Sequence, residues 1–109
     1  MSKLPKPTFA EITDVICDHY NLDHDELFAE GRRQPAAKAR QIAMFLLFEL
    51  CHVKRASIAS LFSRDWSAVQ QSIKKMGHEL TTDSKLRKEI IWLAEQVSRR
   101  AINRNKQPI

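Results

Sequence analysis

The sequence predicts an all-α protein, a compact bundle of five or six helices. Three observations carry that prediction. Only 2 Gly and 4 Pro occur in 109 residues, too few for the tight turns that sandwiches and barrels consume. Apolar residues recur at helical spacing in several separate stretches. One stretch, Ile42 to Phe48, is apolar without interruption and ends at Glu49, which suits a helix surrounded by others in the middle of a bundle.

The elements follow in order. Thr8 is a strong N-cap, and Glu11 three residues later completes a capping-box pattern. The helix that opens there carries Phe9, Ile12, Ile16 and Tyr20 as its stripe and ends at Asn21. Asp23 is expected to cap a short helix bearing Leu27 and Phe28, which Gly31 stops. Gly31-Arg32-Arg33-Gln34-Pro35 reads as a basic loop whose exit the proline stiffens. A long helix spans about 36 to 52, with Lys38 and Arg40 marking the end expected to reach solvent. A two-turn helix over 56–62, the tight connection Ser63-Arg64-Asp65 and a helix over 66–80 come next. That helix turns Val69, Ile73, Met76 and Leu80 inward. A final helix from about 84 to 101 carries Leu86, Ile90, Leu93, Val97 and Ala101 in one stripe. Residues 8–102 are expected to form one domain, with 1–7 and 103–109 as flexible ends.

Composition removes several function classes. The longest apolar run falls far short of the roughly 18 residues a membrane span needs, and no signal core follows Met1-Ser2-Lys3-Leu4-Pro5. A cytoplasmic protein without a membrane partner is expected. Cys17 and Cys51 lie far apart, and Cys17-Asp18-His19 and Cys51-His52 are poor zinc spacings. The thiols are expected to be buried and reduced, with no metal and no cofactor. Paired carboxylates, a nucleophile elbow or a metal-binding histidine pair are all missing from a plausible frame, so the chain is not expected to be an enzyme.

Charge is unevenly divided. Residues 1–31 carry two lysines against seven acids, whereas residues 32–109 carry 16 Lys and Arg against six acids. Segregation of that size points to a polyanionic partner for the C-terminal two-thirds. The short helix, tight turn and longer helix over 56–80 form a helix-turn-helix pattern. On its own that pattern is weak, since many helical hairpins share it. Its second helix adds weight, because it presents Ser67, Gln70, Gln71, Lys74 and Lys75 and has no acid between Trp66 and Gly77. Amides and hydroxyls suit base edges, and lysines suit phosphates.

Three motifs in order carry a resemblance to a known family. They are His19-Tyr20-Asn21-Leu22 with Leu27, then Arg40-Gln41-Ile42-Ala43-Met44 after a basic loop, then Ser63-Arg64-Asp65-Trp66-Ser67-Ala68-Val69. Over roughly residues 9 to 100 the chain resembles the C-terminal DNA-binding domain, domain IV, of the bacterial replication initiator DnaA. That resemblance implies a DnaA domain IV-like, Trp-repressor-like bundle that binds double-stranded DNA at the bacterial nucleoid. It implies a minor-groove role for Arg32 and a base contact for Asp65. Departures fall near the DNA-facing side: Ala39 for proline, Trp66 for histidine, Ala68 for a hydroxyl residue, Phe48 for a phosphate-contacting lysine, and a turn one residue shorter. No Gly-x-x-x-x-Gly-Lys-(Ser/Thr) loop occurs, so no nucleotide is expected, and the chain is not expected to act as an initiator by itself.

Each singled-out residue has a plainer reading. Asp65 could serve only as the N-cap of the recognition helix. Trp66 could pack under the turn or stand exposed against a thymine methyl. Ser67 fits a first helical turn as well as a reader, and Arg32 and Arg33 could be ordinary loop charges. Phosphate contacts are expected from Lys38, Arg40, Arg55, Arg64, Lys74 and Lys75. The leading expectation is a sequence-specific duplex binder in replication or transcription control, monomeric with a dimer left open. The alternatives are a protein-interaction module that kept the fold and lost specific DNA binding, and, more weakly, an RNA binder.

Overall fold

A computed structural model describes residues 5–106 as six helices, with no strand among the described residues. They are α1 (Phe9–Tyr20), α2 (His24–Phe28), α3 (Ala36–Cys51), α4 (Arg55–Phe62), α5 (Trp66–Thr82) and α6 (Ser84–Lys106). The expected all-α bundle is thus the fold.

Local chemistry sets the ends. The Thr8 hydroxyl accepts from the Glu11 amide at 3.1 Å, and the Glu11 carboxylate accepts from the Thr8 amide at 2.9 Å. Each thereby satisfies a donor that the first turn leaves without an intrahelical partner. Asp23 and Glu26 repeat the reciprocal box at α2. Asn21, His52 and Ser63 close α1, α3 and α4 in the left-handed conformation, which asparagine tolerates best of the three.

α3 forms the centre. Ile42, Ala43, Leu46 and Leu47 are essentially inaccessible, and the helix packs against α1, α2, α4, α5 and α6. Its uninterrupted apolar run is therefore used on every side. Ile12 and Ile16 of α1, Val69 of α5 and Leu93 and Val97 of α6 complete the core. Each such side chain contributes about 1.5–3 kcal/mol by leaving water. A satellite of rings, Phe9, Phe28 and Phe62, joins α1, α2 and α4 with centroids 5.0–6.2 Å apart. That cluster seats the first helix of the helix-turn-helix against the N-terminal helices.

A polar seam runs along α1 and α6. Arg104 bonds Glu11 at 2.8 Å and Arg100 bonds Asp18 at 2.7 Å. Glu89 receives His19 at 3.0 Å, Lys38 at 3.1 Å and the Tyr20 hydroxyl. Burial works to raise the Glu89 pKa, but those three donors outweigh it and hold the carboxyl below its ordinary value. Burial and the Glu89 bond push the Tyr20 phenol well above its ordinary value.

The last helix runs beyond the end expected near residue 101. α6 continues to Lys106, four residues into the segment 103–109 expected to be flexible, because Arg104 there is anchored on Glu11 and on the Lys6 carbonyl. Near the other end, the Pro7 carbonyl accepts from the Cys51 thiol at 3.1 Å. Residues 1–4 and 107–109 lie outside the described residues. Both cysteines are buried, as expected, and burial pushes both thiols above their ordinary pKa.

Candidate nucleic-acid interface

The candidate site is assembled from the basic loop after α2, the tight turn after α4 and the outer face of α5. α4 ends when the Arg64 amide bonds the Ala59 carbonyl at 2.9 Å. The chain reverses through Ser63 at φ 52° and enters α5 at Trp66. Val69, Ile73 and Met76 pin α5 to the core, so helical geometry fixes where its other residues lie. Ser67, Gln71, Lys74, Lys75 and His78 are exposed, and Gln70 is half-buried.

Asp65 occupies the N-cap position, but its side chain makes no capping hydrogen bond. The capping role expected of its carboxylate is therefore corrected: the carboxylate is exposed and uncommitted at the head of α5. Trp66 is 50% exposed, so it is not a staple buried under the turn. It lines a cleft of about 460 Å³ together with Phe48, Val53, Arg55 and Ala56.

Arg40 requires the largest correction. It was expected to reach solvent and contact phosphate, yet it is only 6% exposed. Its Nε donates to the Leu27 carbonyl at 2.8 Å and its Nη1 to the Gly31 carbonyl at 3.1 Å. Leu27 lies in the last turn of α2, whose carbonyls have no partner within the helix and carry the negative end of its dipole. A cation there satisfies them. Arg64 adds a bond from Nη2 to the Ala29 carbonyl at 3.1 Å. Two arginines therefore clasp the end of α2, and desolvation and the nearby Arg64 charge both depress the Arg40 pKa.

This clasp brings the loop to α5. Gly31, at φ 116°, takes a backbone conformation that only glycine adopts readily. Arg32 follows it and lines a cleft of about 240 Å³ with Gln41, Arg64, Ala68 and Ser72. Arg33 turns to the other flank, beside Glu26 and Glu30. Lys38 does not join the face, because its ammonium is held by Glu89 in the α1–α6 seam. Gln41, Ser72 and His78 were missed from the sequence. His78 was findable, since it lies four residues beyond Lys74 on the same outer face.

Among the described residues no group of three His, Cys, Asp or Glu side chains could hold a metal ion, and no helix is long and apolar enough to cross a membrane.

A short helix, a three-residue turn and a longer helix with an acid-free outer start, flanked by an ordered basic loop, define a helix-turn-helix domain of the DNA-binding class. The chain belongs to the bacterial DnaA protein helix-turn-helix family, whose model matches residues 9–76. It is 31% identical over 87 residues to the chromosomal replication initiator protein DnaA of Chloroflexus aggregans, covering 79% of this chain and 18% of that protein. The DnaA protein of Corynebacterium aurimucosum is 33% identical over 91 residues, 83% of this chain and 17% of the relative. That of Sphingopyxis alaskensis is 33% identical over 90 residues, 82% of this chain and 20% of the relative. The chain spans about a fifth of the length of these relatives.

Proposed function

We propose that this domain binds double-stranded DNA sequence-specifically, with α5 in a major groove and Arg32 in the adjacent minor groove. It acts in bacterial replication or transcription control, at the nucleoid, as a monomer and without catalysis or a nucleotide. The observation that carries this reading is the loop Gly31–Arg33, held by Arg40 beside the acid-free start of α5. Phosphate contacts position such a domain, and the amides, hydroxyl and carboxylate of the first turns of α5 read base edges.

With Arg40 buried, Lys38 paired with Glu89 and Arg55 stacked on Phe48, Arg33 joins Arg64, Lys74 and Lys75 as the phosphate contacts in this reading. About four contacts give a slope of log affinity against log salt near −3.5. Fluorescence anisotropy with a random-sequence duplex across a salt series measures it, and a slope between 0 and −1 would sink the proposal. A second reading rests on the half-exposed Trp66: the same face docks on a protein. It gains ground if duplex, single strand and RNA all fail to bind.

A further inference from the structure

We infer that Phe48, Arg55 and Trp66 form one specificity-determining unit in which Arg55 reads a guanine beside the base met by Trp66. The inference rests on the duplex-binding reading above. The Arg55 guanidinium carbon lies 4.6 Å from the centroid of the Phe48 ring. Stacking on an aromatic face holds a guanidinium in one plane. Arg55 Nε is buried and makes no hydrogen bond among the described residues, and Arg55 forms no ion pair there. The donors left to meet a ligand are therefore the two terminal nitrogens, arranged as a fork.

A fixed planar fork can grip a phosphate bidentately, but it also matches the O6 and N7 acceptors of guanine. The position favours the base. Arg55 shares an open cleft with Phe48, Val53, Ala56 and Trp66, whose apolar surfaces lie beside the guanidinium. Glu49, His52 and Lys54 line its rim. Trp66 begins α5, and the first turn of a recognition helix meets base edges most directly. An apolar indole beside a guanidinium fork suits a thymine methyl next to a guanine. Phe48 is the positioning residue, acting through Arg55.

Selection from a randomised duplex pool supplies the wild-type site. Each guanine in it is then replaced in turn by 7-deazaguanine, which pairs normally but lacks the N7 acceptor. At one guanine the replacement should weaken wild-type binding about tenfold and leave Arg55→Met unaffected. Phe48→Leu should lose most of that discrimination, and Phe48→Tyr, which keeps the ring, should retain it. If Arg55→Met instead weakens binding to every duplex alike and lowers the salt slope by about one, Arg55 is a phosphate contact and the inference is overturned. It is equally overturned if no guanine in the site depends on N7 while the duplex still binds. Failure of any duplex to bind brings down both this inference and the reading beneath it.

Discussion

The Arg40 guanidinium donates to the Gly31 carbonyl oxygen 3.1 Å away, so a basic residue of the central helix supports the loop that carries Arg32. Its Nε bond to Leu27 anchors the same side chain at the end of α2. Hydrogen bonds from a charged donor are worth about 1.5–3 kcal/mol each. Arg40→Met should therefore destabilise the domain by about 3 kcal/mol and weaken duplex binding further through a loosened loop. Urea denaturation measures the first and anisotropy the second. A variant as stable as wild type would show that the α2 carbonyls need no partner.

Arg32 is expected to enter a minor groove, where arginine favours the narrow, strongly negative A·T-rich form. Arg32→Ala should weaken binding and relax the A·T preference at one edge of the selected site. Selection with both proteins from the same duplex pool checks this. An equal loss for every sequence would reduce Arg32 to a phosphate contact.

Trp66 and Ala68 are the two departures in the first turn of α5. Histidine and threonine offer hydrogen-bonding groups where this chain presents an indole and a methyl. Trp66→His with Ala68→Thr should shift preference towards the boxes bound by DnaA proteins, by about 1–3 kcal/mol for each base contact recovered. Competition between the two boxes at one salt concentration reads the shift. Identical ranking by wild type and double variant would mean that these positions do not read sequence.

The α1–α6 seam makes stability depend on acid. The Glu89 carboxyl titrates below its ordinary value of 4.5 in the folded protein. Its contribution is thus present above about pH 4.5 and is lost as pH falls through the lower folded value. Glu89→Gln should cost about 1 kcal/mol at pH 7 and flatten the decline in melting temperature below pH 4.5. A variant that keeps the full acid slope would place the relevant carboxyl elsewhere, with Glu11, also depressed by Arg104, the next to test.

Periodicity and capping made most of the fold legible before any coordinates. The Thr8–Glu11 box, the all-round apolar α3 and the inward stripe of α5 each encode their structure within a few residues. The site was less legible for a physical reason. A basic residue looks the same in sequence whether it meets phosphate or carbonyls, and Arg40 and Lys38 were sorted only by neighbours 9 to 51 positions away. Asp65 shows the converse, since its position was readable but the orientation of its carboxylate was not. The pairing of Phe48 with Arg55 crosses the corner between α3 and α4, where no single helical period connects them.

Glu11 and Arg104 are 93 positions apart, yet they share a salt bridge. α1 can settle on α3 as soon as both exist, but its polar edge closes only when the last turns of α6 have been made. A growing or truncated chain that lacks the last turns of α6 therefore carries Glu11 and Asp18 without their arginine partners. Maturation of the domain neutralises them from within, so arrival of the C-terminal helix also decides when the molecule becomes electrically ready to meet a polyanion.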